Sequence, residues 1–556
     1  MLDGLLLASI LLPMLGALAM GLLAPLGDEA VRRGALAVAL ATLAASTTLV
    51  ANYPANGAEA GAFATVVRLS GEGAPIDVRF HVALDGLGLW MFALAPVLLV
   101  TSILASWRAI ADRTAMFHGM LLLLTGGCLG VFTARDIMLF YVFFEFTLIP
   151  LFFLIGIWGS EERRYAAIKF FLFTLAGSLL TFLGLLAIVV WDFRESGGPT
   201  MQFSLDALNT GLRSHPLPEH WQTWIFLALF AGFAVKVPLF PLHTWLPLAH
   251  VQAPTAGSVF LAGILLKIGT YGFLRFCLPM LPAAAAALMP AMLWLALLGV
   301  VYGALVALAQ RDIKRLIAYS SVSHMGFCVM GIFALNPLGI QGGVLQMLNH
   351  GISTGALFAL VGMLYERYHT RRIEDLSGLC RRVPWLAFFM VLFTLSSIGL
   401  PGLNGFAGEF LILIGMFQRA FGESASDSTA SLKIVSVLAV SGVVLGAWYM
   451  LWMVQRVFFG PLREPESGKD AEQGAIADLS WRERWALMPL AALALWIGLY
   501  PAYFLNRMAP DLERVSAEAE DVARSRYAPI EYRAERPGLD RRPTEESSWE
   551  TLTRVD

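Results

Sequence analysis

Charge is scarce in this chain: only 14% of its 556 residues are Asp, Glu, Lys or Arg, while 57% are hydrophobic and the mean hydropathy is +0.67. A soluble domain of this length needs far more surface charge, so the composition places the chain among polytopic membrane proteins. Net charge is also small, formally −2, which leaves no bulk electrostatic case for nucleic acid as a partner. Cysteine is sparse and scattered. Cys128, Cys277, Cys328 and Cys380 form no CxxC or Cys/His cluster, which argues against an iron–sulfur, haem or zinc site. Any redox chemistry would then lie in a partner. The first apolar stretch, Leu5 to Leu26, lacks a basic leader and is too long for a cleaved signal, so it reads as a retained span.

What the chain does have is long apolar runs. A helix needs about 20 apolar residues to cross the hydrocarbon core, and sliding that length along the sequence gives about fourteen candidates. They fall near 5–26, 34–53, 86–107, 116–134, 137–158, 166–190, 224–247, 254–277, 286–309, 314–335, 341–365, 385–419, 432–459 and 485–507. At these lengths only helices satisfy the backbone in lipid, so the expected class is all-α and polytopic. An even number of spans puts both termini on one side. Arg and Lys gather in alternate loops, as at Arg32, Arg33, Arg163, Arg164, Arg311, Lys314, Arg371 and Arg372, and this bias predicts both termini away from the cytoplasm. Met201, Leu205, Leu208 and Leu212 recur at helical spacing and predict a short helix lying on the outer face. After Arg507 the composition turns polar, predicting a tail with a short helix around Leu512 to Val522 and disorder beyond it.

Two spans are interrupted, the seventh at VPLFPLH and the twelfth at GLPGLNG, with four intact spans between them. Paired broken helices are a sequence pointer to a transport site made from inverted repeats. Six ionisable residues lie within a turn or two of mid-span: Glu145, Lys236, Lys267, His324, His350 and Glu409. A charge at mid-bilayer costs roughly 3 kcal/mol on insertion scales, which favours a functional role for the lysines and carboxylates. A lone membrane histidine is as often an interhelical hydrogen-bonding residue. If the spans pack together, the six form a polar row in the membrane plane. At an assumed separation of about 6 Å and an effective dielectric of about 20, a Glu145–Lys236 pair interacts by about 3 kcal/mol, enough to load or release a proton. Lys236 is expected at the negative end of one half-helix and Glu409 in the first turn of another, at its positive end. His243 and His250 lie nearer the cytoplasmic end of the broken segment, as interfacial residues or as the lining of a half-channel. The glycines of GLPGLNGFAGEF do not join a strand to a helix, so they are not a dinucleotide fingerprint.

These residues also carry a resemblance. KVPLFPLHTWLPLAHVQAPTAGSVFLAGILLKIGTYGFLRF, QRDIKRLIAYSSVSHMGF, LNHGISTGALF and GLPGLNGFAGEF resemble the antiporter-like membrane subunits of respiratory NADH:quinone oxidoreductase (complex I) and of multi-subunit sodium/proton antiporters, and the likeness runs over roughly residues 1–507. Within that family the chain is most similar to the M-type branch, the counterpart of mitochondrial subunit four. Glu409 decides this, because the sister chains L and N typically carry lysine there, and because the chain has no hydrophobic span after Arg507.

The resemblance implies fourteen transmembrane helices with two inverted five-helix repeats, each containing one broken helix. It divides the chain into helices one to three (1–115), a first repeat (116–280), a second repeat (281–460), a cytoplasmic loop with helix fourteen (461–507) and the polar tail (508–556), which nothing in the family explains. It implies a proton relay with Glu145 as switch carboxylate, Lys236 as its partner, Lys267 as central relay, His324 and His350 as connecting residues and Glu409 as the terminal residue. It further implies NADH, FMN, iron–sulfur clusters and quinone bound in partner subunits and none here, chains L and N as neighbours, and a bacterial-type inner membrane with periplasmic termini. A sodium/proton antiporter subunit without redox partner, and a scaffold whose buried charges only stabilise packing, are the competing readings.

Overall fold

The computed structural model describes residues 2–58, 61–71, 74–422, 430–465 and 476–527, and most of them are helical. Among these residues ten helices are long and apolar enough to cross a membrane alone: α1 (Leu2–Leu23, with a 3-10 turn to Leu26), α2 (Asp28–Ala51), α4 (Thr114–Thr133), the pair α5 and α6 within Ile137–Trp158, α7 (Arg163–Ser196), α11 (Thr255–Met280), α12 (Pro282–Leu308), α13 (Ile313–Phe333), α14 (Pro337–Tyr368) and α17 (Ala430–Phe458). The remaining expected spans are also helical but short or broken: α3 (Leu89–Ala105), α9 (Glu219–Lys236) with α10 (Trp245–Gln252), α15 (Pro384–Ser397) with α16 (Asn404–Phe421), and α18 (Trp481–Leu499). α18 meets α19 (Ala502–Tyr527) at 75°, and counting that pair as one span would make eleven.

Helix starts follow local chemistry. Asp136 caps α5 (Ile137–Phe146) by accepting from the Met138 and Leu139 amides at 2.9 and 3.2 Å. Asp312 caps α13 through the Arg315 amide (2.9 Å), and Asn336 caps α14 through Gly339 (2.9 Å). Ser480 and Glu483 form a reciprocal capping box on α18. Each satisfies donors that a helix start leaves without partners.

The interruptions follow backbone chemistry too. α9 ends on Lys236, ahead of Pro238 and Pro241, and the Trp245 indole donates to the freed Val235 carbonyl at 2.9 Å. Between α15 and α16 the chain turns through Gly399 (φ +74°), where an added Cβ would lie 2.9 Å from the Glu409 carboxylate, so only glycine suits both the dihedral and the space. The fifth span was expected to be continuous, yet it breaks at Thr147 into α5 and α6 (Leu148–Trp158). Pro150 cannot donate to the Phe146 carbonyl one turn earlier, which accounts for the break.

Thr65 in β1 (Ala62–Arg68) donates to the Asp3 carbonyl at 3.4 Å, and Tyr53 and the Gly86 amide both donate to Asp511. The start of α1, the end of α2, the β1 region and α19 therefore share one face, called here the terminal face. There β1 pairs antiparallel with β3 (Arg79–Leu84), and β2 (Ile76–Asp77) pairs parallel with β4 (Met201–Gln202). The surface helix is α8 (Leu205–Ser214), with Leu205, Leu208 and Leu212 buried beneath it. Met201 falls outside it, in β4.

Two boundaries at the C-terminal end are corrected. The last apolar span stops at Leu499 rather than 507, because the chain turns at Tyr500 and Pro501. The expected short helix at 512–522 is the middle of α19, which buries Phe504, Met508, Leu512, Ala519 and Ala523 at helical spacing. The expected disorder after it falls on residues 528–556, outside the described residues.

Candidate functional site

Lys236 is buried at the end of α9, and its ammonium lies over the Phe144 ring, 4.7 Å from the centroid, with no hydrogen-bond acceptor. Glu145 follows Phe144 in α5; it is half-buried, with Ser178 of α7 against its carboxylate and one carboxylate oxygen without a partner. No ion pair joins Glu145 to Lys236, so the two are separated groups and the ring supplies the contact.

Lys267 is placed differently. α11 contains two π turns, Leu261–Leu265 and Phe273–Cys277, which flank the turn carrying this lysine. The widened first turn offers the Ala262 carbonyl as acceptor for the Lys267 ammonium, and His350 Nδ1 of α14 lies 2.7 Å from the same nitrogen. The His350 ring centroid is 5.6 Å from that of His324 in α13. His324 Nδ1 is 3.2 Å from Glu409 Oε1, an ion-pair contact off the hydrogen-bond axis, and its Nε2 is 3.2 Å from Ser397 Oγ. Gln346 donates to the same Glu409 oxygen at 3.1 Å.

Four of the six expected residues thus form one buried file, Lys267–His350–His324–Glu409. The step between the two imidazoles is the one not bridged directly, and it borders a cavity of about 10 Å3 lined by both rings, Gln346, Asn349 and Ser397. That volume is near the space one water needs. Two imidazolium charges 5.6 Å apart would repel by about 3 kcal/mol at an effective dielectric of about 20. By the same arithmetic the carboxylate at 3.2 Å would attract a charged His324 by about 5 kcal/mol. Glu409 lies in the second turn of α16 rather than the first, since that helix starts at Asn404, so the helix dipole contributes less than expected.

Other residues of the file carry amide or hydroxyl groups that reading by charge passes over. Gln346 and Asn349 share the inner face of α14 with His350; Asn349 donates to the Asn404 carbonyl at 2.7 Å, and Asn404 itself reaches Ser353 and Ser396 across the α15–α16 break. Their i, i+3 and i+4 spacing around His350 was a usable signal. His250 stacks on Phe358 at 4.4 Å with both ring nitrogens unpartnered, whereas His243 sits against Phe240 and Tyr302. Lys314, expected among the loop charges, is buried and donates to the Ala253 carbonyl at 2.6 Å. Among the described residues no three His, Cys, Asp or Glu side chains converge on a metal-sized site.

The family described as NADH:quinone oxidoreductase/Mrp antiporter, TM, matches residues 134–431. NADH-quinone oxidoreductase subunit M of Rhodobacter capsulatus is 43% identical over 443 residues, 79% of this chain and 82% of that one. A chain in the structure of respiratory complex I from Thermus thermophilus with bound NADH is 33% identical and superposes with a TM-score of 0.77, covering 93% of this chain and 99% of that chain. A chain of the Mrp complex from Dietzia sp. DQ12-45-1b gives a TM-score of 0.74 at 22% identity, covering 93% and 52%, a likeness of fold alone.

Proposed function

The chain belongs to the NADH:quinone oxidoreductase/Mrp antiporter membrane family, and from that premise we propose that it is an M-type, proton-translocating membrane subunit of a respiratory NADH:quinone oxidoreductase. The observation that carries this reading is the buried file Lys267–His350–His324–Glu409, whose groups can each take and release a proton. A stand-alone sodium/proton antiporter is less well supported: the 43% identical relative is named as an NADH-quinone oxidoreductase subunit, while the likeness to the Mrp complex is at 22%.

In this reading NADH, FMN, iron–sulfur clusters and quinone belong to partner subunits, and this chain answers their chemistry with protonation changes. Glu145 acts as the switch carboxylate. Its charge state alters the field at the unpaired Lys236 ammonium, which in turn sets the charge presented to Lys267. Lys267 hands its proton to His350 Nδ1, a water in the small cavity passes it to His324, and Glu409 receives it. Polar Gln346, Asn349, Asn404 and Ser397 keep that route hydrogen-bonded through otherwise apolar helices. The chain crosses a bacterial-type inner membrane with both termini periplasmic and packs beside the sister chains L and N.

The test is the assembled complex in sealed vesicles carrying Lys267→Ala. NADH-driven acidification should fall to background while the complex still purifies whole. Full acidification in that assembled variant would remove Lys267 from the route and turn the reading toward a scaffold. Co-purification of this chain without flavin or iron–sulfur subunits, together with sodium-dependent proton flux, would support the antiporter instead.

A further inference from the structure

The helix that carries Lys267 has a cavity at each end. At its start a cavity of about 340 Å3 is lined by Thr255, Lys314, Glu366 and Arg371. At its end, on the terminal face, a cavity of about 280 Å3 is lined by Asp85, Arg135, Asp206, Arg275, Pro279 and Asp511. Both are polar and roomy enough for water. A titratable amine at mid-membrane with water approaching from both ends would short-circuit the gradient, so one approach has to be closed to protons.

The terminal end carries the closure. From Lys267 to Arg275 is two turns, roughly 12 Å at 1.5 Å per residue. That interval is packed with rings: Tyr271 against Phe132 at 5.2 Å, and Phe273 against Phe233 at 5.5 Å. At the cavity floor Arg275 donates to Asp85 at 2.7 Å and to the Tyr271 hydroxyl at 3.0 Å, while Arg135 donates to Asp85 at 2.7 Å and to Asp206 at 2.5 Å. Arg135, Arg275 and Asp85 are buried, whereas Asp206 is half-exposed. Two fixed cations therefore share one buried carboxylate, so cations outnumber carboxylates among the buried groups, while half-exposed Asp206 offsets Arg135 on the cavity side. Burial favours the neutral Asp85 carboxyl, but Arg275 and Arg135 hold it down to about 2, so the cluster keeps its charges at any physiological pH.

We propose that the Arg275–Asp85–Arg135 cluster, with the aromatic packing above it, is an electrostatic seal that lets water reach the end of α11 but bars protons from Lys267 on the terminal face. A guanidinium cannot release its proton, so unlike His350 it cannot relay one, and a fixed cation at a constriction repels hydronium. The inference rests on the proton-carrying reading above and adds a direction to it: Lys267 is loaded only from the opposite face or through the file. Neither arginine belongs to the relay.

The experiment uses the whole complex in liposomes containing a pH dye, with an imposed potassium-diffusion potential and no NADH. The paired variant Asp85→Asn with Arg275→Gln removes opposite charges together and leaves hydrogen-bonding groups in place. Passive proton entry should rise about tenfold over wild type, and adding Lys267→Ala should return it to the wild-type rate. Arg275→Lys, which keeps the cation, should stay within about twofold of wild type. An assembled paired variant with a wild-type leak overturns the seal. If the pair does not assemble, Arg275→Lys still decides, since a large leak there would show that the cation is not what closes the path. Normal NADH-driven pumping in Lys267→Ala would instead defeat the underlying function, so the two failures are distinguishable.

Discussion

The surroundings of the two buried lysines differ in kind. Lys236 has no hydrogen-bond acceptor, sits over a phenyl ring and is not ion-paired to the half-buried carboxylate next to that ring. Lys267 is bonded to a carbonyl and an imidazole, and from that imidazole a second histidine and Glu409 continue in file. The first arrangement suits sensing: an unpaired charge in a dry site responds to a distant change in field, because little nearby screens it. The second suits transfer, since proton hops need donors and acceptors in reach. α9 packs directly against α11 between them, and an added Cβ on Gly269 would lie 3.0 Å from Lys236 Cβ. The two lysines are thus adjacent without sharing a hydrogen bond.

The sharpest way to break this contrast is at the carrier. Lys267→Ala should bring proton pumping to background in an assembled complex, measured as dye quenching in sealed vesicles. Glu145→Ala comes next: pumping should fall about tenfold while the complex stays whole, because the switch is lost and the route is intact. Normal pumping there would leave the sensing half without a role. Glu409→Gln should hurt more than Glu409→Lys, since lysine still carries a proton; equal losses would argue against a relay residue at this place. A smaller effect is expected at the ring between the groups. Phe144→Leu keeps bulk but removes a cation–π contact of about 1–2 kcal/mol, so pumping should change by several-fold and the transfer file should be untouched.

The smallest predicted effect concerns stability. The Asp85 carboxyl is lowered from 3.8 to about 2, which corresponds to about 2 kcal/mol. Because the folded value is depressed, this contribution is complete above about pH 4 and is lost as pH falls toward about 2. Thermal melts of wild type and Asp85→Asn in detergent should therefore differ at neutral pH and converge through that window. A constant difference would mean that Asp85 acts by shape rather than charge.

Much of this was legible in the amino-acid order because the bilayer makes rare residues informative. A lysine in LLKIG or a glutamate in FAGEF stands out among apolar neighbours, and the prolines of VPLFPLH announce the break that leaves Lys236 at a helix end. Pairings were not legible. Lys267 and His350 are 83 residues apart, and no local pattern says that Lys267 meets His350 or that Phe144 intervenes between Glu145 and Lys236. The π turns of α11 have no composition of their own; within the first of them Gly263 lets Leu98 press against the helix. The break at Thr147 had a signal in Pro150, which a hydropathy window averages away. α19 was underestimated for a related reason: its charges lower the mean, while the stripe Phe504, Met508, Leu512 and Ala519 that packs it onto the terminal face keeps a helical period. Lys314 reads as a loop cation because it lies two residues past a cap, and its burial shows only in the fold, where it donates to the Ala253 carbonyl just after α10.

The central claim is that protons move along Lys267–His350–His324–Glu409, and His350→Leu tests it most directly, because leucine fills much of the space of the ring and cannot take a proton. The measurement is the ratio of protons moved to NADH oxidised by the assembled complex in sealed vesicles. The account predicts that this ratio falls to background, as for Lys267→Ala; an unchanged ratio at wild-type turnover would contradict it.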